Sequence, residues 1–206
     1  QSDENWSSDH ARDGTVSRMG FAKDLVKTTR RIFVTADTHF GHAKMNTFVR
    51  DDGTPLRPFQ DVEEMNEVMV ERWNNTVSPR DKVYHLGDVA IPRSGLSYLE
   101  RLNGRKVLIR GNHDIFNAQD YLRPLRFYDI RGVHKLDAFV LSHIPIHPAH
   151  LDRYKGNIHG HTHYRRVLTD EGANDERYQC VCVEHTDYRP IALEDVLKKF
   201  RDTGIM

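Results

Sequence analysis

At 206 residues and 24.0 kDa the chain has room for one domain with a sizeable core, and a second full domain would be crowded. Hydrophobic residues are 38% and charged residues 29%, which excludes disorder across the whole chain, and no apolar run nears the roughly 20 residues of a membrane span. Lys plus Arg number 30 against Asp plus Glu 30, so no global field draws the protein to nucleic acid or an anionic membrane, and any nucleic-acid contact requires a local patch.

Residues 1–30 read as a polar, loosely ordered arm without the apolar segment of a secretory signal. One domain is expected over residues 31–206. Its first element is a buried strand at Ile32–Ala36 that stops at Asp37. Residues 61–75 place Val62, Met65, Val68, Met69 and Trp73 at helical spacing, with Asp61 as N-cap and Glu64 three positions on.

A strand at 82–87, a helix at 94–104 closing on Gly104 and a strand at 106–111 follow, an alternation that argues α/β layering. The second half is richer in strands: RFYDIRGVHK and AFVLSH suggest a hairpin, GNIHG a short strand and RYQCVCVEH another. IALEDVLKKF, residues 191–200, reads as a final amphipathic helix.

Thirteen histidines are the outlying count, and histidine both ligates metals and moves protons near neutrality. Two cysteines, Cys180 and Cys182, are expected to point to opposite faces of a strand, to form no mutual disulfide and to carry no chemistry. That favours a reducing, cytoplasmic compartment.

Five polar clusters each follow a strand-like run: DTHFGH (37–42), GD (87–88), GNHD (111–114), SH (142–143) and GHTH (160–163). Loops at the carboxyl ends of strands in layered α/β folds converge on one crevice, so the clusters can meet despite their distance in sequence. Asp37, His39, Asp88, Asn112, His143, His161 and His163 form a mixed oxygen and nitrogen set suited to Mn, Fe, Zn or Ni, with Mn foremost. Seven ligands exceed what one ion uses while keeping a position open, but they suit two ions sharing a bridging carboxylate.

The order of these motifs over residues 31 to about 188 resembles that of the calcineurin-like metallophosphoesterases, including the short bacterial and phage-type phosphoesterases. The resemblance implies two stacked mixed β-sheets flanked by helices, an α/β sandwich in four αββα layers. It also implies that Asp37, His39 and His163 hold one ion, Asn112, His143 and His161 the other, and that Asp88 bridges them. By the same resemblance His113 faces the substrate phosphate, as a general acid or as a stabiliser of the equatorial oxygens, while a hydroxide bridging the two ions attacks phosphorus.

One position departs from the family pattern. Many members place an acidic residue three positions after GD to orient the histidine, whereas this chain has Ile91. Asp114 either takes over that role or ties its own loop by bonding backbone amides, and both readings stand at this stage. The long stretch from Asp37 to Asp88 contains PLRPFQ and is expected to shape the substrate cleft.

Other residues are read as follows. His85 and His159 are core or supporting histidines rather than ligands. His42, His147 and His150 either meet substrate or bond their own loops, and Arg93, Arg110, Arg165 and Arg166 are candidate phosphate contacts.

The expected activity is hydrolysis of a phosphate ester, with phosphodiesters or small nucleotide-like phosphates ahead of phosphomonoesters. From a different class, a catalytically inactive metal-binding scaffold is the alternative, which missing ligands would have marked. The sequence assigns no oligomeric state.

Overall fold

In the computed structural model, residues 30–205 are described, and the arm expected over 1–30 lies outside them apart from Arg30. In chain order the elements are β1 (Ile32–Thr35), α1 (Val62–Thr76), β2 (Lys82–His85), β3 (Arg105–Ile109), α2 (Ala118–Tyr121) and β4 (Phe127–Arg131). Then come β5 (Val133–Leu136), β6 (Phe139–Ser142), β7 (Gly156–His159), β8 (Tyr178–Cys180), β9 (Ile191–Ala192) and α3 (Leu193–Asp202). They build two mixed sheets, ordered β4-β3-β2-β1-β9 and β5-β6-β7-β8. The architecture is thus α/β with two mixed sheets and few helices.

Strands β1 to β4 run parallel to one another, as do β6, β7 and β8, while β9 and β5 are antiparallel additions at the sheet edges. The two-residue period of the strands divides their side chains between two cores. Phe33, Val83 and Leu108 face the α1 side and pack with Met65, Met69 and Trp73. Val34, Tyr84 and Val107 face the other sheet and pack with Phe139, Leu141 and Ile158. Coverage on both faces explains why these strands read as unbroken apolar runs.

Helix α1 begins as its sequence predicts. Asp61 accepts from the Glu64 amide at 2.8 Å, and Glu64 reaches back to the Gln60 amide at 2.7 Å, so both partners of the cap satisfy free amides. Asn66 on this helix accepts from the Gly41 amide at 3.0 Å, tying α1 to the loop after β1.

Four segments differ from expectation. The stretch expected as a helix over 94–104 forms 3-10 turns over Arg93–Arg101, with Leu96 and Leu99 buried; Gly95 lets the Phe40 carbonyl press against it, which favours close contact over a regular α-helical ladder. The run RFYDIRGVHK divides at Gly132, so that β4 joins one sheet and β5 the other; only β5 forms the hairpin with β6. Strand β8 ends at Cys180, and Val183–His185 form a 3-10 turn. Ile191 and Ala192 pair with β1, so the last helix starts at Leu193. Among the described residues no helix is long and apolar enough to cross a membrane.

Lys106 on β3 is a charge held inside this framework. It is 3% exposed, its ammonium donates to the Leu102 carbonyl at 2.6 Å, and burial pulls its pKa from the ordinary 10.5 down to about 8. Between those two values the unfolded chain binds the proton that the folded chain has released, so stability rises with pH across that window. Relative to Lys106→Met, the parent should gain up to about 3 kcal/mol between pH 8 and 10.5. Urea unfolding at the two ends of the window measures this, and a constant difference would refute it.

Candidate metal centre

All five polar clusters lie at or just past strand ends. The loops after β1 and β2 run side by side, with the Asp37 amide donating to the Gly87 carbonyl at 3.0 Å and the His39 amide to the Asp88 carbonyl at 3.1 Å. Gly87 sits where these loops pass the next one: a Cβ there would lie 2.6 Å from the Gly111 backbone and 2.7 Å from His143 Nδ1. A Cβ on Gly160 would lie 2.5 Å from Asp37 Oδ2. Side chains at either position would push the clusters apart.

Two groups of donor atoms result. One oxygen or nitrogen from each of Asp37, His39 and His163 lies within 4.8 Å of the others, and Asp88, His143 and His161 form a second such group. Asp88 Oδ2 stands between them, 3.7 Å from His39 Nε2 and 3.4 Å from His143 Nε2. Asn112 Oδ1 is 2.8 Å from His143 Nε2, which adds it to the second group. The His113 ring packs edge-on against His39, centroids 5.8 Å apart. All eight residues singled out by the sequence therefore come together.

The surrounding bonds set which atoms remain free. Asp37 Oδ2 accepts from the His161 amide at 2.8 Å and Cys182 Sγ at 3.1 Å, while Asp37 Oδ1 and both ring nitrogens of His39 are buried with no partner. His143 Nδ1 lies 2.7 Å from the Leu86 carbonyl and donates to it, which turns Nε2 toward the donor group. Buried polar atoms rarely go unpaired, and these are oxygen and imidazole nitrogen donors. The two His/Asp groups thus fit a dinuclear centre for divalent cations.

Electrostatics agree. Burial opposes ionisation of Asp37, yet the imidazoles of His39, His163 and His143 gathered around it hold its carboxyl well below the usual range. Burial likewise opposes a charge on His143, but Asp88 and Asp37 raise its pKa to about 9.

The buried supports are also specific. Thr38 Oγ1 donates to the Val89 carbonyl at 2.8 Å and lies 3.0 Å from His85 Nε2; with its own proton spent, it accepts from the ring. His159 contacts the Gly160 carbonyl at 2.7 Å, so both histidines support loops, as expected. Asn157 on β7 donates to Val140 O and Ser142 Oγ and accepts from the Ile146 amide, each at 3.0 Å, fixing the loop that carries His143.

Asp114 resolves the two readings left open. Its carboxylate accepts from the amides of Asp88 and Val89 at 2.9 Å and of Gly111 at 2.8 Å, so it ties loops together and is turned away from orienting His113. Three arginines considered as phosphate contacts are also engaged: Arg93 with Asp120, Arg110 with the carbonyls of Asp114 and Phe116, and Arg165 with Asp51. His147 accepts from the Ala149 amide and so caps its own turn.

The cysteines overturn an expectation. Cys180 and Cys182 do not face apart: their sulfurs are 3.2 Å apart, both buried, and Cys182 touches Asp37. Residues two apart share a face of a strand, and the turn after Cys180 brings the second thiol under the first.

Two residues behind the centre carry no motif and were not singled out. Arg57, from the PLRPFQ stretch, and Glu184 both have fully buried side chains, 2.8 Å apart, and Glu184 Oε1 lies 3.1 Å from His163 Nδ1. An arginine between two prolines and a glutamate after an apolar run were the only signals. The PLRPFQ stretch thus packs beneath the ligand loops at Arg57.

A family model described as calcineurin-like phosphoesterase matches residues 30–179, more than half of the chain. The chain belongs to this family. It is 34% identical over 174 residues to the uncharacterized protein MJ1445 of Methanocaldococcus jannaschii, covering 82% of this chain and 90% of that one. It is 29% identical over 170 residues to the gene 66 protein of Mycobacterium phage D29, covering 66% of this chain and 80% of the phage protein. Among solved structures, the Aquifex aeolicus protein AQ665, described as of unknown function, superposes with a TM-score of 0.55 at 26% identity, over 82% of this chain and 99% of that one.

Two outcomes follow from the geometry. Asp114→Ala strips an acceptor from three amides and should destabilise the fold by about 3 kcal/mol in urea unfolding; an unchanged midpoint would contradict the tie. Because His143 holds its proton up to about pH 9, divalent cations must displace it, so their affinity should rise with pH toward that value. Titration calorimetry from pH 6.5 to 9 should show this, and a flat profile would count against it.

Proposed function

We propose that this protein hydrolyses phosphodiesters or small nucleotide-like phosphates at two divalent cations. Asp37, His39 and His163 hold one, Asn112, His143 and His161 the other, and Asp88 is shared. The observation that carries the reading is the set of buried, partnerless donors, Asp37 Oδ1 and both nitrogens of His39, beside the Asp88 oxygen that faces both groups. Left empty, such atoms cost free energy that a cation removes. Bound there, two cations would supply Lewis acidity toward phosphoryl oxygens and would lower the pKa of a bound water. Mn suits the mixed oxygen and imidazole set, and Fe, Zn or Ni are the other candidates.

The chain's own residues do the rest. Asp88 keeps Oδ2 aimed between the groups because its Oδ1 accepts from the His113 amide at 2.8 Å. That bond also places the exposed His113 at the mouth, beside Asn112. From there its ring donates a proton to the leaving oxygen. A diester carries one negative charge and a monoester up to two. Arg93, Arg110 and Arg165 are already bonded to carboxylates or carbonyls, which supports the singly charged ester. The two free thiols support a reducing, cytoplasmic setting.

Turnover of bis(p-nitrophenyl) phosphate against p-nitrophenyl phosphate by the Mn-loaded protein tests the reading, with Asp88→Asn controlling for contaminating enzymes. We expect preference for the diester, loss of most turnover in Asp88→Asn, and about 100-fold slower turnover in His113→Ala with both ions retained. Preference for the monoester would move the assignment to phosphomonoesterase. Two bound ions with neither ester turned over would support a scaffold.

A further inference from the structure

Arg57 and Glu184 form an ion pair with both side chains fully buried. Buried pairs of this kind add little stability over apolar side chains of the same volume, so the informative feature is what the pair touches. Arg57 Nε donates to Glu184 Oε1 at 2.8 Å, Nη1 to the Thr38 carbonyl at 2.9 Å, and Nη2 to the Asp37 carbonyl. Glu184 Oε1 accepts from His163 Nδ1 at 3.1 Å.

We infer that Glu184, clamped by Arg57, is a positioning residue for one of the two cations, holding together Asp37, His39 and His163 while leaving the other cation's ligands untouched. The inference rests on the dinuclear reading above. A proton fixed on His163 Nδ1 by Glu184 leaves the Nε2 lone pair facing Asp37 Oδ1, 3.9 Å away. At the other end of the pair, Arg57 grips the carbonyls of the loop in which Asp37 and His39 adopt left-handed backbone, φ 59° and 48°. Only a few per cent of non-glycine residues adopt that region, aspartate and histidine more often than most, and the bonds from Arg57 to both carbonyls help to hold them there. One ion pair therefore sets a ring orientation and a loop conformation at once.

The second donor group depends on other partners. His143 is held by the Leu86 carbonyl, Asn112 faces His143, and the Asp88 loop is tied by Asp114. Loss of Glu184 should thus separate the two cation positions, whereas a general loosening would weaken both.

The test is a Co(II) titration of the metal-free full chain, followed by visible absorption with bound metal counted by elemental analysis, for the parent, Glu184→Ala, Glu184→Gln and His161→Ala. The parent should bind two ions. In Glu184→Ala one ion should bind as in the parent and the other about 10- to 100-fold more weakly. Glu184→Gln, which keeps an oxygen for His163 but loses the charge, should fall between. His161→Ala should lose the complementary ion, and adding Glu184→Ala to it should weaken the one that remains.

Thermal melts of the metal-free forms show which variants fold, and if Glu184→Ala does not, Glu184→Gln against His161→Ala carries the comparison. Parent-like affinities in the Glu184 variants, or equal weakening of both ions, would overturn the inference. A parent chain that binds fewer than two ions would instead bring down the dinuclear reading and the inference with it.

Discussion

The Asp114 carboxylate, accepting three backbone amides from residues 88, 89 and 111, fastens the end of β2 to the end of β3. Each strand alone could end in a loop that wanders. Sharing one buried anion, the two loops must leave the sheet together, and that fixes where Asp88 and Asn112 stand. The loop after β1 then lines up on the loop after β2 through paired backbone bonds, and the first three motifs are locked in one frame.

The frame holds backbone in a state that it would not choose. Asp37, His39, Asp88, His161 and His163 all have positive φ, between 48° and 70°, a region sparsely occupied by residues other than glycine, asparagine and aspartate. Such conformations persist when the surroundings over-determine them, and they gather at functional sites. Here the left-handed turn lets a short side chain swing from the strand end into the crevice. The close approach at Gly87 and Gly160 leaves room for it.

Much of this was legible in the sequence because it is local. Strand cores, the cap at Asp61 and the five polar clusters are written in consecutive residues, and the clusters' convergence follows from where parallel strands end. What escaped reading depends on partners distant along the chain. Nothing near Arg57 announces that Glu184 will meet it, and nothing in RFYDIRGVHK says that Gly132 divides two sheets. Asp114 could be left open but not decided, since its amide partners at 88 and 89 lie on another loop. The cysteines failed for a simpler reason, the side-chain period of the strand itself, which puts residues two apart on one face.

The sequence separation of these contacts carries a consequence for how the protein comes into being. Arg57 and Glu184 are 127 residues apart, and Asp37 meets the His161 amide across 124. Loop closure over such lengths comes late for a chain that assembles from local contacts outward. The chain through Glu184 must therefore be made before the centre can be complete. Partially folded forms then lack the complete set of donors, so a cation acts as an inspector of the folded chain: its binding energy is available only to molecules in which these distant segments have already met.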